Sequence, residues 1–234
     1  FMQLEVVTEE LKDKPHSLIA IDNVPNLDQH DTEDLIDRIR GLRAMGVGVF
    51  ISCRPSNRQL IHGLGDSVKI NAQMLKVHAY EYSAWASAFS ISTSLDFYQL
   101  TQGVPELVSA MQSGLYGQGD VAQMLENEIV NIYGAALVDL ASLENNALFS
   151  VACLMVLMGE GNISELEACG VRLSAIDQSY LVRDYPIFGV DPADRSFTCL
   201  GTEDNARLRL RKLVAEIRPE LVVRAARILI KAGR

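Results

Sequence analysis

The chain has 234 residues, enough for one large or two small domains, and 48% hydrophobic with 22% charged residues is the composition of an ordinary globular protein, not of a disordered one. Its formal charge of −9 argues against nonspecific binding of nucleic acid by the whole molecule. The longest dense apolar run, Ala147 to Met158, is too short to cross a bilayer, and no secretory leader pattern opens the chain, so we expect a cytoplasmic protein without a membrane partner.

The first predicted element is the strand Leu18 to Ile21, whose apolar residues run without alternation into Asp22. A continuous apolar run of this kind predicts a strand that is buried on both faces of a parallel sheet. Ligands of open α/β sheets bind at the carboxyl ends of such strands, so Asp22 is placed as the acid of a Walker B strand would be. An aspartate that only caps the next turn gives the same pattern.

A polar loop, Asn26 to Asp31, is predicted to follow. The helix after it has apolar residues at i, i+1, i+4 and i+7 from Leu35 to Leu42, and Gly46 is placed to end it as a C′ residue. Val47 to Ile51 then predicts a second buried strand. The three elements together predict a βαβ unit.

The second strand leads into Arg54 and Pro55. A proline cannot donate to a strand ladder, so Arg54 is expected at the carboxyl edge of the sheet. Asp22 is expected at the same edge, because parallel strands end on the same side. The sequence therefore predicts an acid and a permanent cation at one rim of the sheet.

Beyond this unit, Val68 to Ile70 and Leu75 to Val77 are predicted as short strands, and the sheet domain is placed at residues 1–80. A small helical domain is predicted for residues 81–140. Within it, Gly103-Val104-Pro105 ends one helix and begins another, with the proline in the first turn, where its missing N–H costs no hydrogen bond.

Residues 141–201 are predicted to form a winged helix. Ala147 to Met158 is apolar on every side, which predicts a helix at the centre of this domain. Capping boxes of the Ser-x-x-acid type predict two more short helices that begin at Ser164 and Ser174. A hairpin follows, with predicted strands at Pro186 to Val190 and Ser196 to Leu200.

The last predicted segment, residues 202–234, differs in charge from the rest. From Gly201 onward there are nine Lys and Arg against four acids, which leaves −14 for the preceding residues. Leu210 to Ile217 places its apolar residues on one helical face, and Pro219 opens a second amphipathic helix. Two such helices with a tight joint predict the first unit of a TPR-like array, with the basic charge on its solvated face.

Taken in this order, the elements resemble the signal-transduction ATPases with numerous domains, the STAND class of AAA+-related P-loop ATPases. Within that class they are similar to the large ATP-dependent transcriptional regulators of the maltose-activator and LuxR type. The implied fold class is α/β followed by mostly α: part of a parallel P-loop NTPase sheet, a helical lid, a winged helix and the start of a helical repeat array. The resemblance covers nearly the whole chain.

The resemblance implies a site for ATP or ADP with Mg²⁺. Asp22 matches the Walker B acid that holds the magnesium ion through water, and Arg54 matches the sensor arginine that reads the terminal phosphate. Gly103 and Pro105 match a Gly-x-Pro motif whose proline packs on the adenine. A guanidinium has forked donors that suit phosphate oxygens. A turn aspartate, a surface arginine and a first-turn proline remain the alternative readings of these residues.

Two departures from the family pattern limit the activity that is implied. The second Walker B acid of the family falls at Asn23, and an amide cannot act as a general base. No GxxxxGK[ST] occurs, so the Walker A half would lie before Phe1 and the chain would be a fragment. We therefore expect slow or no hydrolysis in the parent protein, and neither tight ATP binding nor hydrolysis from these residues alone.

The implied partners are the P-loop half and the C-terminal sensor array of the same polypeptide, with a small-molecule inducer or a protein acting on the array. The winged helix would relay the nucleotide state in transcription regulation. DNA would be bound by a domain outside this chain, and the resemblance allows homo-oligomers.

Two other classes of function stand against this interpretation. The first is a winged-helix transcription factor that contacts DNA directly, but its recognition helix, Ser174 to Val182, carries Asp177 and no Lys or Arg. The second is a complete enzyme of another class. It is disfavoured because the four cysteines and four histidines are scattered and show neither zinc-ligand spacing nor a nucleophile and base pattern.

Overall fold

The computed structural model describes residues 16–88, 95–116, 120–143, 146–201 and 204–234, together with residues 11 and 14. The chain divides into two compact units, Phe1–Lys69 and Ile70–Arg234. The domain boundaries predicted at residues 80, 140 and 201 stay predictions.

The first unit contains the predicted βαβ order. Strands β1 (Leu18–Val24) and β2 (Gly48–Cys53) pair in parallel, helix α1 (Gln29–Ala44) connects them, and the short helix α2 (Arg58–Gly63) follows. Asp28 is the N-cap of α1, and its side chain accepts a hydrogen bond from the Asp31 N–H at 2.8 Å. The predicted loop to Asp31 is therefore too long, because this cap starts the helix at residue 29.

The sheet of the first unit is covered on one face. On that face the apolar side chains of both strands pack against the buried residues Leu35, Ile36 and Ile39 of α1. On the other face Leu18 is 75% exposed and Phe50 is 55% exposed. The prediction that β1 is buried on both faces is therefore wrong for the described residues, since α1 covers only one side.

The second unit begins with a 3₁₀ turn (Ala72–Leu75), where the Asn71 side chain accepts a hydrogen bond from the Met74 N–H at 3.0 Å. The predicted strands at 68–70 and 75–77 are wrong: residues 68–70 and 76–77 pair with no strand in the described part of the chain, and Leu75 belongs to the 3₁₀ turn that the Asn71 side chain caps. Four helices follow: α3 (Ala79–Ala88), α4 (Leu95–Thr101), α5 (Pro105–Tyr116) and α6 (Val121–Ala141). The predicted helix junction at Pro105 is confirmed.

Helix α7 (Asn146–Met158) lies at the centre of the second unit, and every residue from Leu148 to Met158 is buried. Its predicted position in the core is confirmed. After it come β3 (Glu160–Asn162), α8 (Ile163–Ala168), α9 (Ala175–Asp184), β4 (Phe188–Asp191) and β5 (Ser196–Cys199). The strands form an antiparallel sheet in the order β3-β5-β4, which confirms the predicted hairpin.

The two predicted capping boxes have different outcomes. Ser174 and Asp177 form the predicted box at the start of α9. The other box is formed by Asn162 and Glu165, so α8 starts before the predicted Ser164. Asn162 accepts from the Ser164 N–H at 2.9 Å, and Glu165 accepts from the Asn162 N–H at 2.9 Å, which satisfies the orphan donors two residues earlier than predicted.

The two last helices, α10 (Asp204–Ile217) and α11 (Pro219–Lys231), are fixed to the end of α7 by arginines. Arg207 donates to the carbonyl of Met158, Arg211 donates to the carbonyl of Leu157 at 3.0 Å, and Arg234 donates to Met158 at 3.3 Å. The last carbonyls of a helix have no intrahelical donors and carry partial negative charge. Burial, together with Arg207 and Arg234, lowers the pKa of Arg211.

Two tyrosine hydroxyls connect α6 with the sheet and helix beside it. The Tyr133 hydroxyl is 3.0 Å from the carbonyl of Ile187 and 2.9 Å from that of Leu200, at the two ends of the hairpin. Burial raises the pKa of Tyr133 well above its ordinary value. The Tyr185 hydroxyl donates to the buried Asp139 carboxylate at 2.5 Å, directly after α9.

Removing the Tyr133 hydroxyl should destabilise the second unit. In Tyr133→Phe the Leu200 carbonyl loses the hydroxyl donor, while the Ile187 carbonyl still accepts from the Leu200 N–H at 2.9 Å. We expect the free energy of unfolding to fall by about 1–3 kcal/mol. Urea unfolding followed by the fluorescence of Trp85, the single tryptophan and a residue of this unit, measures the change.

Tyr80 supplies the matched control, because its side chain is exposed and the substitution removes the same hydroxyl. Tyr80→Phe should change the free energy of unfolding by less than about 0.5 kcal/mol. Equal losses in the two variants would contradict the role given to Tyr133.

Candidate functional site

The carboxyl ends of β1 and β2 bring the predicted Asp22 and Arg54 to the same rim of the parallel sheet. Asp22 is the fifth residue of β1, and Arg54 comes directly after the last residue of β2. Both side chains are exposed. Within the described residues the Arg54 guanidinium has no ion-pair partner, so its charge is available to an anion. The geometry is as the sequence predicts, and the role of both residues stays a prediction.

A β-bulge shapes this rim. The pairing runs from Ile21 opposite Ile51 to Val24 opposite Cys53, so β1 has one residue more than β2 between these pairs. The extra length falls on Asp22 and Asn23, and Asn23 has a φ of 53°. This left-handed conformation is one that asparagine tolerates better than most residues. A bulge re-aims the side chains that it carries.

A single hydroxyl lies opposite the bulge. Ser52 Oγ accepts a hydrogen bond from the Asn23 backbone N–H at 2.7 Å and donates to the Asp22 carboxylate oxygen Oδ1. The carboxylate of Asp22 is therefore held on one oxygen by a residue of the neighbouring strand.

The two loops that leave the strands are bonded to each other. Asn26 Nδ2 donates to Ser56 Oγ at 2.9 Å, and the buried Asn57 donates from Nδ2 to the carbonyl of Pro25 at 3.0 Å. Sequence reasoning missed these residues and Ser52. The available signal was the run of Asn and Ser directly after each predicted strand, since such residues bond to nearby backbone.

Gly103 and Pro105 belong to the second unit. The Val77 N–H donates to the Gly103 carbonyl at 2.8 Å, and a Cβ on Gly103 would lie 2.0 Å from the Val77 carbonyl oxygen. Gly103 also has a φ of 74°. The glycine of the predicted Gly-x-Pro motif is thus required by a close backbone approach.

Pro105 opens α5 and lines an open surface groove of 680 Å³ between α5 and α6. The walls carry Glu106 and Glu128 with Ser109 and Met124, and no cation is among the lining residues. Two carboxylates repel phosphate, so this groove disfavours a phosphate group. If Pro105 contacts a nucleotide, it contacts the base and not the phosphates.

The donor set at the rim fits part of a magnesium site. Mg²⁺ prefers oxygen ligands and is held by one or two carboxylates with water and substrate phosphates. Asp22 supplies one exposed carboxylate, and the Ser52 Oγ that is bonded to it is a second oxygen. Among the described residues no group of three or more His, Cys, Asp or Glu could hold a metal ion by itself.

Thiol chemistry finds no support in the second unit. Burial raises the pKa of Cys153 and of Cys199 to about 12. The thiolate is the nucleophilic form, so these two buried cysteines are inert at neutral pH. They are core residues.

No protein-family model matches the chain, and no curated protein or solved structure matches it either. Of the helices in the described ranges, none is both long enough and apolar enough to cross a bilayer.

The close approach at Gly103 gives a prediction. Gly103→Ala places a Cβ against the Val77 carbonyl in a strained backbone conformation, and we expect it to destabilise the second unit by about 2–4 kcal/mol. Thermal or urea unfolding followed by Trp85 fluorescence measures the loss.

Gly134→Ala is the control in the same unit. Gly134 lies within α6, and its added Cβ meets only Leu213, at 3.9 Å. Because alanine favours helix, this variant should be neutral or more stable by up to about 1 kcal/mol. If Gly103→Ala is as stable as Gly134→Ala, the backbone contact does not constrain the junction.

Proposed function

We propose that the chain is part of a STAND-type, nucleotide-dependent regulator of transcription, and that its first unit carries half of the site for ATP or ADP with Mg²⁺. The observation that carries the proposal is the bulged rim, hydrogen-bonded through Ser52, on which Asp22 and Arg54 both lie at the carboxyl ends of two parallel strands. This end of an open α/β sheet is where nucleotides bind.

The two charged residues of the rim would bind groups of opposite charge. Asp22 would hold a water of the magnesium ion, and Arg54 would bind the terminal phosphate through its forked donors. Asn23 cannot accept a proton as a general base, so the site would detect nucleotide more than hydrolyse it. Because no GxxxxGK[ST] occurs in the chain, the loop that cradles the phosphates would come from another part of the parent.

The uncovered face of the first unit supports a larger sheet. Parallel sheets are covered on both faces in α/β proteins, yet Leu18 and Phe50 lie on an exposed apolar face. The proposed P-loop half would add strands at the edge of this sheet and a second helical layer on the exposed face.

The second unit has the order of elements that the proposed relay needs. Helices α7, α8 and α9 followed by the β4–β5 hairpin are the order of a winged helix. Helix α11 buries Leu221 and Ala225 but exposes Val223 and Ile230, so it has a second apolar stripe. A repeat helix uses one face for its own pair and another for the next repeat, which supports a helical sensor array on which an inducer would act.

The proposal predicts weak nucleotide binding that is confined to the rim. In a titration of the isotope-labelled protein with Mn²⁺·ATP, the amide signals of residues 20–24 and 50–56 should broaden selectively, with a dissociation constant of about 1 mM or weaker because half of the contacts are missing. Arg54→Ala should weaken this broadening severalfold, through loss of the charge-assisted phosphate contact.

Arg43→Ala is the matched control, because Arg43 is an exposed arginine of the same unit in the last turn of α1, away from the carboxyl ends of the strands. It should leave the broadening unchanged. Broadening that is absent at the rim, or lost equally in both variants, would overturn the proposed site. A micromolar dissociation constant would overturn the half-site.

Direct DNA binding by the winged helix is the competing function, and the charges of the second unit disfavour it. Arg183 pairs with Asp184 at 2.5 Å and Arg195 pairs with Glu167 at 3.1 Å, so phosphate would have to compete with a carboxylate for two of its cations. Helix α9 also packs against the 3₁₀ turn. Phosphate contacts need free cations.

We therefore expect no shifted band when the protein is mixed with random-sequence duplex DNA at low salt, where nonspecific binding is strongest. Arg172, an exposed arginine just before α9, provides the check on a positive result. A clear shift that Arg172→Ala abolishes would establish the DNA-binding function in place of the relay.

A further inference from the structure

Ser52 lies on β2, opposite the bulge in β1. A bulge leaves a backbone N–H without its partner in the ladder, and here that N–H belongs to Asn23. Asn23 is exposed, so either water or a neighbouring side chain can accept from this N–H. The Ser52 hydroxyl, on the facing strand, supplies that acceptor at 2.7 Å.

The same hydroxyl has one proton to donate, and it donates this proton to Asp22 Oδ1. Ser52 Oγ is thus hydrogen-bonded both to the N–H of the peptide that follows Asp22 and to the side chain of Asp22. These two bonds fix the backbone ψ and the side-chain χ1 of Asp22 together. The second carboxylate oxygen, Oδ2, makes no hydrogen bond with any described residue.

We propose that Ser52 is the positioning residue of the site: it holds the Asp22 carboxylate in one rotamer, so that Oδ2 is presented to the magnesium-bound water. The assignment rests on the proposed nucleotide function for the last step alone. The claim that the Ser52 hydroxyl determines the rotamer of the Asp22 carboxylate applies equally to the protein without nucleotide.

The proposed role depends on the hydroxyl of Ser52 and not on the size of its side chain. Threonine keeps an Oγ on the same Cβ, whereas valine has the shape of threonine and no hydroxyl. Both are good strand residues, so both variants are expected to fold. Ser56 provides a control at the same rim, because its hydroxyl bonds to Asn26.

The test is the side-chain rotamer of Asp22 in the labelled protein of 234 residues. Three-bond couplings from the Asp22 carboxyl carbon to its own backbone nitrogen and carbonyl carbon report χ1. The wild type, Ser52→Thr and Ser56→Ala should show the coupling pair of a single rotamer. Ser52→Val should lose it and show averaged couplings, with a shifted Asn23 amide signal.

The outcomes separate the two proposals. If Ser52→Val retains the single rotamer, or if Ser52→Thr loses it, the positioning role is wrong whatever nucleotide does. If Ser52→Val loses the rotamer while Mn²⁺·ATP leaves the rim of the wild type untouched, Ser52 positions Asp22 and the nucleotide function fails. If the rotamer is lost and the Mn²⁺·ATP broadening at Asn23 weakens severalfold in the same variant, both hold.

Discussion

A helix without a polar face must be enclosed on all sides, and α7 places that requirement on the second unit. Its residues from Leu148 to Met158 are buried, so other elements must surround it. Helices α6, α10 and α11 and strand β5 contact it. Its last carbonyls then need donors that apolar neighbours cannot give, and Arg207, Arg211 and Arg234 supply them. The position of the two terminal helices follows from the end of α7.

The two units differ in how much of their apolar surface they bury. The second unit has one continuous apolar core that extends from α3 to α11. The first unit has a small core under α1 and an apolar sheet face that is open to solvent. Local stability follows the amount of buried apolar surface, so the first unit should open more readily than the second. A nucleotide and a partner layer that bind this unit would stabilise it by linkage, which is the property that a sensor needs.

The sequence predicts those features that depend on one local pattern. The central helix α7 could be predicted because eleven of the twelve positions from residue 147 to 158 are apolar, Ser150 being the exception. The rim position of Asp22 and Arg54 could be predicted because each follows an apolar run. The cap of α8 at Asn162 and the 3₁₀ turn after Asn71 were missed, since a side-chain cap competes with the periodic pattern in a single residue. Ser52 was missed because its bonds cross to a strand thirty positions away, and the bulge that orients it is set by strand pairing.

The hydrogen bonds from arginines to the end of α7 constrain the acceptor residues and the donor residues differently. Their acceptors are main-chain carbonyls of Leu157 and Met158, which every amino acid presents alike. The side chains at 157 and 158 can therefore vary with the packing of the core, as long as they stay apolar, without loss of the cap. Arg234 has less freedom, because its guanidinium bonds to Glu165 and to the carbonyls of Met158 and Glu160 together, and lysine carries no planar fork. In related sequences the apolar side chains of α7 could change while the arginine contacts to its last carbonyls were kept.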